Sequence, residues 1–149
     1  GQGSVFVNLN TNGYRGHAVT RTIKIYTNDP DANPVVLKIS AQVDDIVKID
    51  PPRISLSGHA GEELSQTVTI TPTDAFPFTV VSAEARFGNN ISYELREEAK
   101  DDKTIYYLDV RNIKDTMGRY FDEIVLKTDN PAVSSISVRI NCSVLSGGN

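Results

Sequence analysis

The chain has 149 residues, a hydrophobic share of 39% and a net charge of −4, a size that suits about one to one and a half small domains. Its fifteen lysine and arginine residues are scattered rather than gathered into a stripe, which argues against a nucleic-acid-binding protein. No apolar run approaches the roughly 20 residues of a membrane-spanning helix, and a single cysteine excludes an intramolecular disulfide.

The first elements along the chain belong to a segment that recurs later. Residues 23–43 (IKIYTNDPDANPVVLKISAQV) align without a gap on residues 124–144 (IVLKTDNPAVSSISVRINCSV), at an offset of 101 positions (124 − 23). In both copies apolar residues alternate with polar ones on either side of a turn rich in Asn, Asp and Pro, which predicts two strands joined by a turn. A weaker match extends back to Val5, Val7 and Leu9, so a further strand is predicted before each hairpin.

The spacing of the repeat predicts the domain organisation. A period of about 100 residues fits one small domain in a tandem array. We therefore predict that residues 1–43 are the C-terminal part of one module, and that residues 44–149 are a complete second module. The loops before the two hairpins contain Gly16 and Gly118, which we expect to supply positive φ angles.

The second module contains eight segments with the pattern of strands. Turn signals recur about every 8 to 12 residues and no convincing helical period is present, which is typical of an antiparallel immunoglobulin-like β-sandwich. Pro51 and Pro52 prevent regular ladder bonding, so the first strand is expected to break or to switch sheets. Cys142 lies among the apolar positions of the last strand and is expected to be a small core residue. The predicted strands are 46–50, 53–57, 64–72, 78–86, 91–98, 103–111, 119–128 and 135–145.

Two resemblances to known families follow from these segments. Residues 3–43, with the Gly13/Gly16 loop, the TNDP turn and the closing PVVLKISAQV strand, resemble a bacterial family of short domains of unknown function that is common on exported proteins. Residues 44–145 resemble the wider class of Hydin-like (ASPM-type) immunoglobulin-like domains, which is related to major-sperm-protein sandwiches. The resemblance implies a sandwich of seven or eight strands in the periplasm, at the cell surface or outside the cell. It carries no catalytic residues and no cofactor.

The spacing of the candidate ligands disfavours a metal site. His17 and His59 are the only histidines, belong to different modules and have no cysteine partner, so we expect both to be exposed loop residues. Residues 29–33 (DPDAN) imitate the first half of a calcium loop, but Pro34 and Ser40 stand where glycine and glutamate are required. An Asx-rich turn is therefore favoured over calcium, and neither a metal nor a cofactor is predicted.

Catalysis by paired carboxylates is also disfavoured. Neighbouring residues on a strand point to opposite faces, so adjacent acids do not provide the two facing carboxyl groups of a glycosidase. Residues 96–103 (REEAKDDK) carry both signs of charge and predict a solvated hairpin tip. The chain also lacks a G-x-S-x-G nucleophile elbow, and we expect no enzymatic activity. The adjacent pairs are Glu62/Glu63, Glu97/Glu98 and Asp101/Asp102.

Outward-facing aromatic residues and open strand edges favour a structural or protein-interaction module. Tyr107 should point away from the core of its strand, as Phe6 should in the first copy. An incomplete sandwich leaves unpaired strand edges, which recruit a strand from another chain or from a neighbouring module. We therefore expect a protein partner, or a second copy of this chain, to associate with residues 1–43 through sheet edges and sheet faces.

The alternative is a carbohydrate- or peptide-binding module that uses loops at one end of the sandwich. Loops on a rigid sandwich are a common place for recognition. The candidate loops are residues 88–90 and 112–118, and the side chains singled out in them are Asn89, Asn90, Lys114 and Asp115.

Overall fold

A computed structural model of the chain describes residues 2–11, 14 and 16–147. The chain divides into an N-terminal unit, Gly1–Asp45, and a C-terminal unit, Ile46–Asn149. Gly13, which the sequence places in the loop before the first hairpin, lies outside the described residues. Within the described residues no helix has the length and apolarity that a membrane span requires.

The C-terminal unit is an all-β sandwich, as predicted. Each of the eight predicted strands is present, and the observed ends lie within two residues of the predicted ones. A single 3-10 turn at Pro131–Val133 joins the last two strands. The strands are β3 (Val47–Asp50), β4 (Ile54–His59), β5 (Ser65–Pro72), β6 (Val80–Ala85), β7 (Ile91–Lys100), β8 (Lys103–Asn112), β9 (Gly118–Thr128) and β10 (Ser135–Leu145).

These strands form two four-stranded sheets. The back sheet has the order β3-β5-β8-β7 and the front sheet has the order β4-β10-β9-β6, an arrangement typical of immunoglobulin-like sandwiches. The predicted antiparallel sandwich is confirmed: the back sheet is antiparallel throughout, and β9 pairs antiparallel with β10 and β6 in the front sheet. The edge strand β4 pairs in parallel with β10. The cause is the diproline: Pro51 and Pro52 separate β3 from β4, and the chain passes there from the back sheet to the edge of the front sheet. The predicted switch between sheets is confirmed.

The core lies between the two sheets and follows the period-two pattern of the strands. Leu108, Ile124 and Ile140 are completely buried, and they come from strands of both sheets. Residues that alternate with them on β8, β9 and β10 remain at least partly exposed. Cys142 is 3% exposed and packs in this core, which confirms its prediction as a small core residue.

The N-terminal unit contains one antiparallel hairpin, made of β1 (Ala18–Ile25) and β2 (Val35–Gln42). Gly16 has the predicted positive φ of 72°, and Gly118, the first residue of β9, has a φ of 151°. The two hairpins also share one register, because Ile23 faces Leu37 just as Ile124 faces Val138 at the offset of 101.

The strand predicted at Val5, Val7 and Leu9 is not formed. Residues 2–11 have no regular structure. Their counterpart in the C-terminal unit is β8, a central strand of the back sheet that pairs with β5 and β7. A strand needs such neighbours to satisfy its backbone donors and acceptors. The described N-terminal residues supply no equivalent of β5 or β7, so the alternating pattern alone does not produce a strand.

Candidate interaction surfaces

The apolar face of the N-terminal hairpin is uncovered at Val35 and Leu37, although Val19 on the same face is buried. Val35 is 38% exposed and Leu37 is 41% exposed, whereas their counterparts Ile136 and Val138 are 4% and 0% exposed. The difference does not lie in the hairpin itself, because the register and the apolar positions are the same. It arises because the back sheet covers β9 and β10, while the described N-terminal residues form only a two-stranded sheet.

Both outer edges of this hairpin are also unpaired within the described part of the chain. In the C-terminal unit, β6 pairs antiparallel with β9 and β4 pairs in parallel with β10. The equivalent positions beside β1 and β2 carry no strand. Unpaired N–H and C=O groups at such an edge can bind an additional strand.

The turn of this hairpin is held by its own side chains. Asp29 Oδ1 accepts a hydrogen bond of 3.0 Å from the Asp31 amide, and Asn33 Oδ1 accepts one of 3.0 Å from the Thr27 amide. The predicted Asx-rich turn at residues 29–33 is therefore present. Asp29 Oδ1 and Asn33 Oδ1, two of the oxygens that the calcium-loop pattern would use, accept backbone hydrogen bonds instead.

Phe6 lies in the irregular segment before the hairpin and is 96% exposed. Since no strand forms at residues 2–11, the prediction that Phe6 projects from the outer face of a strand is wrong. Its ring is nevertheless freely accessible in the N-terminal unit.

The predicted end loops of the C-terminal unit do come together. The Ile113 amide donates to the Asn90 carbonyl at 2.9 Å. The Tyr120 hydroxyl lies 3.0 Å from the same carbonyl and 2.7 Å from Asn112 Oδ1. Burial raises the pKa of Tyr120, so its hydroxyl keeps the proton that links the two loops. Loops 88–90 and 112–118 therefore form one cluster at one end of the sandwich.

The side chains singled out in these loops differ in exposure. Asn89 and Asp115 are exposed, while Asn90 and Lys114 are partly buried. The Lys114 backbone is fixed by Asn112, whose side-chain amide donates to the Lys114 carbonyl at 2.8 Å and whose Oδ1 accepts from the Lys114 amide at 3.2 Å. Asn89 and Asp115 are therefore the accessible members of this cluster.

Tyr107 points away from the core, but its ring is not free. Arg96 Cζ lies 5.4 Å from the ring centroid, and a hydrogen bond with Glu98 raises the pKa of the Tyr107 hydroxyl. Arg96 also binds Asp109, with Nε 2.5 Å from Oδ2, and Asp109 Oδ1 accepts a hydrogen bond from the Thr67 hydroxyl. Tyr107 is thus part of a polar network on the outer face of the back sheet.

The residues considered for metal binding and catalysis have other roles in the structure. His59 Nδ1 lies 3.5 Å from Glu62 Oε1 in the turn after β4, and His17 belongs to the other unit. Asp101 and Asp102 form the turn between β7 and β8, with φ angles of 50° and 62°. Among the described residues no group of three or more His, Cys, Asp or Glu side chains could hold a metal ion.

The uncovered residues of the hairpin face were not among the side chains that the sequence analysis singled out. The repeat contains the necessary signal, because it assigns each of these residues a partner in a sandwich core. The strands that flank and cover the β9–β10 hairpin, β3 to β8, however, all come from the stretch of chain before β9. Comparing the two copies therefore identifies an apolar face that the described N-terminal residues leave partly uncovered.

No family model matches the chain, and no curated protein matches it. A protein of unknown function from Porphyromonas gingivalis W83 is similar in structure, with a TM-score of 0.53, 9% sequence identity and coverage of 85% of this chain. The present chain corresponds to 66% of the length of that structure, which is slightly less than two thirds. The ASH/PapD-like domain 7 of human CEP192 matches with a TM-score of 0.41 and 7% identity, over 69% of this chain and 87% of that domain.

These comparisons concern the fold. The Porphyromonas protein supports a β-fold that extends over most of the chain. Together with the two packed sheets of the C-terminal unit, it agrees with the predicted immunoglobulin-like class.

Proposed function

We propose that this chain is a non-catalytic structural and protein-interaction module of an exported bacterial protein, and that it associates through the hairpin of β1 and β2. The single observation that supports this proposal is the uncovered apolar face of the hairpin, where Val35 and Leu37 are 38% and 41% exposed. The occupant that this face fits is the apolar face of a β-sheet from another protein segment.

The chemistry of the occupant follows from the second hairpin. β9 and β10 have the same register as β1 and β2, and the back sheet β3-β5-β8-β7 covers them. A sheet with inward Val, Ile, Leu and Tyr residues would therefore match the hairpin. Full burial of a Val, Leu or Ile side chain contributes about 1.5–3 kcal/mol, so completing the burial of several half-exposed residues would offset the cost of ordering a marginal two-stranded sheet.

The expected association is testable with two neighbouring residues. Leu37 lies on the apolar face, and Val36, which is 56% exposed, lies on the opposite face of the same strand. We expect the molar mass of the wild-type chain, measured by light scattering between about 10 μM and about 1 mM, to rise towards that of a dimer. Leu37→Lys should keep the chain monomeric, whereas Val36→Lys should behave like the wild type.

Two results would contradict self-association through the hairpin face. A wild-type chain that stays monomeric at every concentration would exclude self-association through the face. Equal effects of the two lysine substitutions would mean that a general change in charge or solubility, rather than the apolar face, controls the mass.

Recognition by the end loops is a second candidate, because the structure joins loops 88–90 and 112–118 through the Tyr120 hydroxyl. Such a fixed cluster is suited to a small polar ligand such as a glycan or a peptide. A glycan and peptide array provides the test, with Asn89→Ala plus Asp115→Ala as the variant. Binding that survives both substitutions would exclude these loops as the site.

The bacterial, exported setting of the proposal rests on the resemblance of residues 3–43 to domains of exported proteins. A reporter fusion to the full gene in its host would test it. A reporter that stays in the cytoplasm would contradict it.

A further inference from the structure

A second apolar surface lies on the outer face of the front sheet, far in sequence from the N-terminal hairpin. Phe87 is 52% exposed and Phe121 is 65% exposed, and their rings meet edge to face with centroids 5.8 Å apart. Large aromatic side chains that stay exposed as a pair are uncommon on a surface that has no partner. Phe121 belongs to β9, and Phe87 follows the edge strand β6.

This aromatic pair is fixed before any partner arrives. Asp122 is 3% exposed and turns inward, where it accepts hydrogen bonds of 3.1 Å from the Phe87 amide and 2.9 Å from the Gly88 amide. The Arg86 amide donates to the Glu123 carbonyl at 2.8 Å. These bonds hold the backbone of Phe87 against β9, so binding would require little additional ordering at this point.

Three arginines lie on the Phe121 side of the pair. A groove of about 350 Å³ beside Phe121 is lined by Arg53, Arg86 and Arg139, and also by Glu123. Arg86 Nη1 lies 3.6 Å from Glu123 Oε2. Neither Arg53 nor Arg139 forms an ion pair within the described part of the chain. With Asp122 bound to backbone amides, the groove presents three guanidinium groups and a single outward carboxylate.

We propose that this surface, the arginine–phenylalanine patch of Arg53, Arg86, Phe87, Phe121 and Arg139, binds an acidic segment of a partner protein that also carries an apolar side chain. Phenylalanine and arginine are enriched at protein interfaces, and aromatic and arginine anchors dominate binding energy there. The carboxylates of the partner would pair with Arg53 and Arg139, while its apolar side chain would pack on the rings of Phe87 and Phe121.

A protein segment fits the patch better than a nucleic acid does. The chain as a whole has a charge of −4, and an extended phosphate backbone would meet repulsion beyond the three arginines. A short acidic segment needs only local positive charge. The edge-to-face pair of Phe87 and Phe121 leaves little flat ring area on which a nucleobase could stack. An apolar side chain of the acidic segment can still pack against the two rings.

The experiment uses the full 149-residue chain and a fluorescein-labelled decapeptide that has three acidic residues beside a central Phe-Leu pair and neutral polar residues elsewhere. Fluorescence anisotropy should show saturable binding that weakens as salt concentration increases. Arg139→Glu should weaken binding by about tenfold or more, since it reverses a charge at the interface. Phe121→Ser, at a position 65% exposed, should weaken it while leaving the circular dichroism spectrum unchanged.

The controls separate the patch from general charge. Lys48→Glu changes the net charge as much as Arg139→Glu does, but Lys48 is an exposed residue of β3 in the back sheet, so it should leave binding unchanged. A peptide with Gly-Gly in place of Phe-Leu should bind more weakly, and a peptide with lysines in place of the acids should not bind.

Three results would overturn the proposal. They are the absence of binding at about 1 mM peptide, equal losses from Lys48→Glu and Arg139→Glu, and tighter binding of a deoxythymidine decamer than of the acidic peptide. This patch lies in the C-terminal unit, so the hairpin proposal can fail while this one holds, and the reverse is also possible.

Discussion

Ile124 and Ile23 are both isoleucines, and they occupy equivalent positions of the two hairpins. The loss of unfolding free energy when each is replaced by alanine reports how completely the face that carries it is buried. Ile124 is completely buried between the sheets, while Ile23 lies half-buried on the N-terminal hairpin. Substitution by alanine removes three carbon atoms, which at about 0.8 kcal/mol each corresponds to roughly 2.4 kcal/mol of transfer free energy. The cavity left at Ile124 adds to this loss, so Ile124→Ala should cost about 3–5 kcal/mol.

Ile23→Ala leaves no closed cavity and should cost at most about 1 kcal/mol. Urea unfolding followed by far-ultraviolet circular dichroism distinguishes the two variants. With a slope of about 2 kcal/mol per molar urea, the midpoint should fall by about 1.5 M or more for Ile124→Ala and by less than about 0.5 M for Ile23→Ala. Similar shifts for both variants would refute the reasoning, because they would require the hairpin face to be covered in the folded protein.

Three further predictions concern the missing cover, the polar network and the loop cluster. Placing a copy of residues 46–103 directly before residues 3–45 supplies the equivalents of β3 to β7. Hydrogen exchange of the hairpin amides should then slow by an order of magnitude or more. Unchanged exchange would contradict the prediction that residues 1–43 are an incomplete module. The hydrogen bond from Arg96 lowers the pKa of Asp109. This pair therefore stabilises the fold above about pH 4, and its contribution is lost as the pH falls through the lowered pKa. Arg96→Gln should raise the pKa of Asp109 in a carboxyl NMR titration, and an identical titration curve would exclude Arg96 as the cause of the lowered pKa. Tyr120→Phe removes the hydroxyl between the end loops and should cost about 0.5–1.5 kcal/mol in urea unfolding; a cost near zero would mean that the loops hold together without it.

Local pattern was sufficient to predict the strands of the C-terminal unit. Inward residues such as Leu108 and Ile140 alternate with outward ones, so the period of two assigns both the strand and its buried face. The same pattern failed at Val5, Val7 and Leu9, where no strand is present. Alternation describes how a segment would face a core, but it does not supply the neighbouring strands with which its backbone must bond.

The surfaces depend on contacts between distant residues, and the sequence revealed them only in part. The end loops were predicted to cluster, but their link through Tyr120, Asn90 and Asn112 needs the register of three separate strands. The Phe87–Phe121 pair was not predicted, because it depends on Asp122 drawing the segment after β6 against β9. A buried aspartate on an otherwise apolar stripe is the one local signal that could have pointed to it.

The passage of the first strand from one sheet to the other has a mechanical consequence. β4 and β10 are parallel and are paired over Ile54–His59 and Ile140–Leu145. Tension applied between the start of β4 and the end of β10 would enter β4 at its N-terminal side and leave β10 at its C-terminal side. The two strands would be drawn in opposite directions along their length. Their hydrogen bonds would therefore be loaded in shear and share the force, instead of breaking one after another from one end.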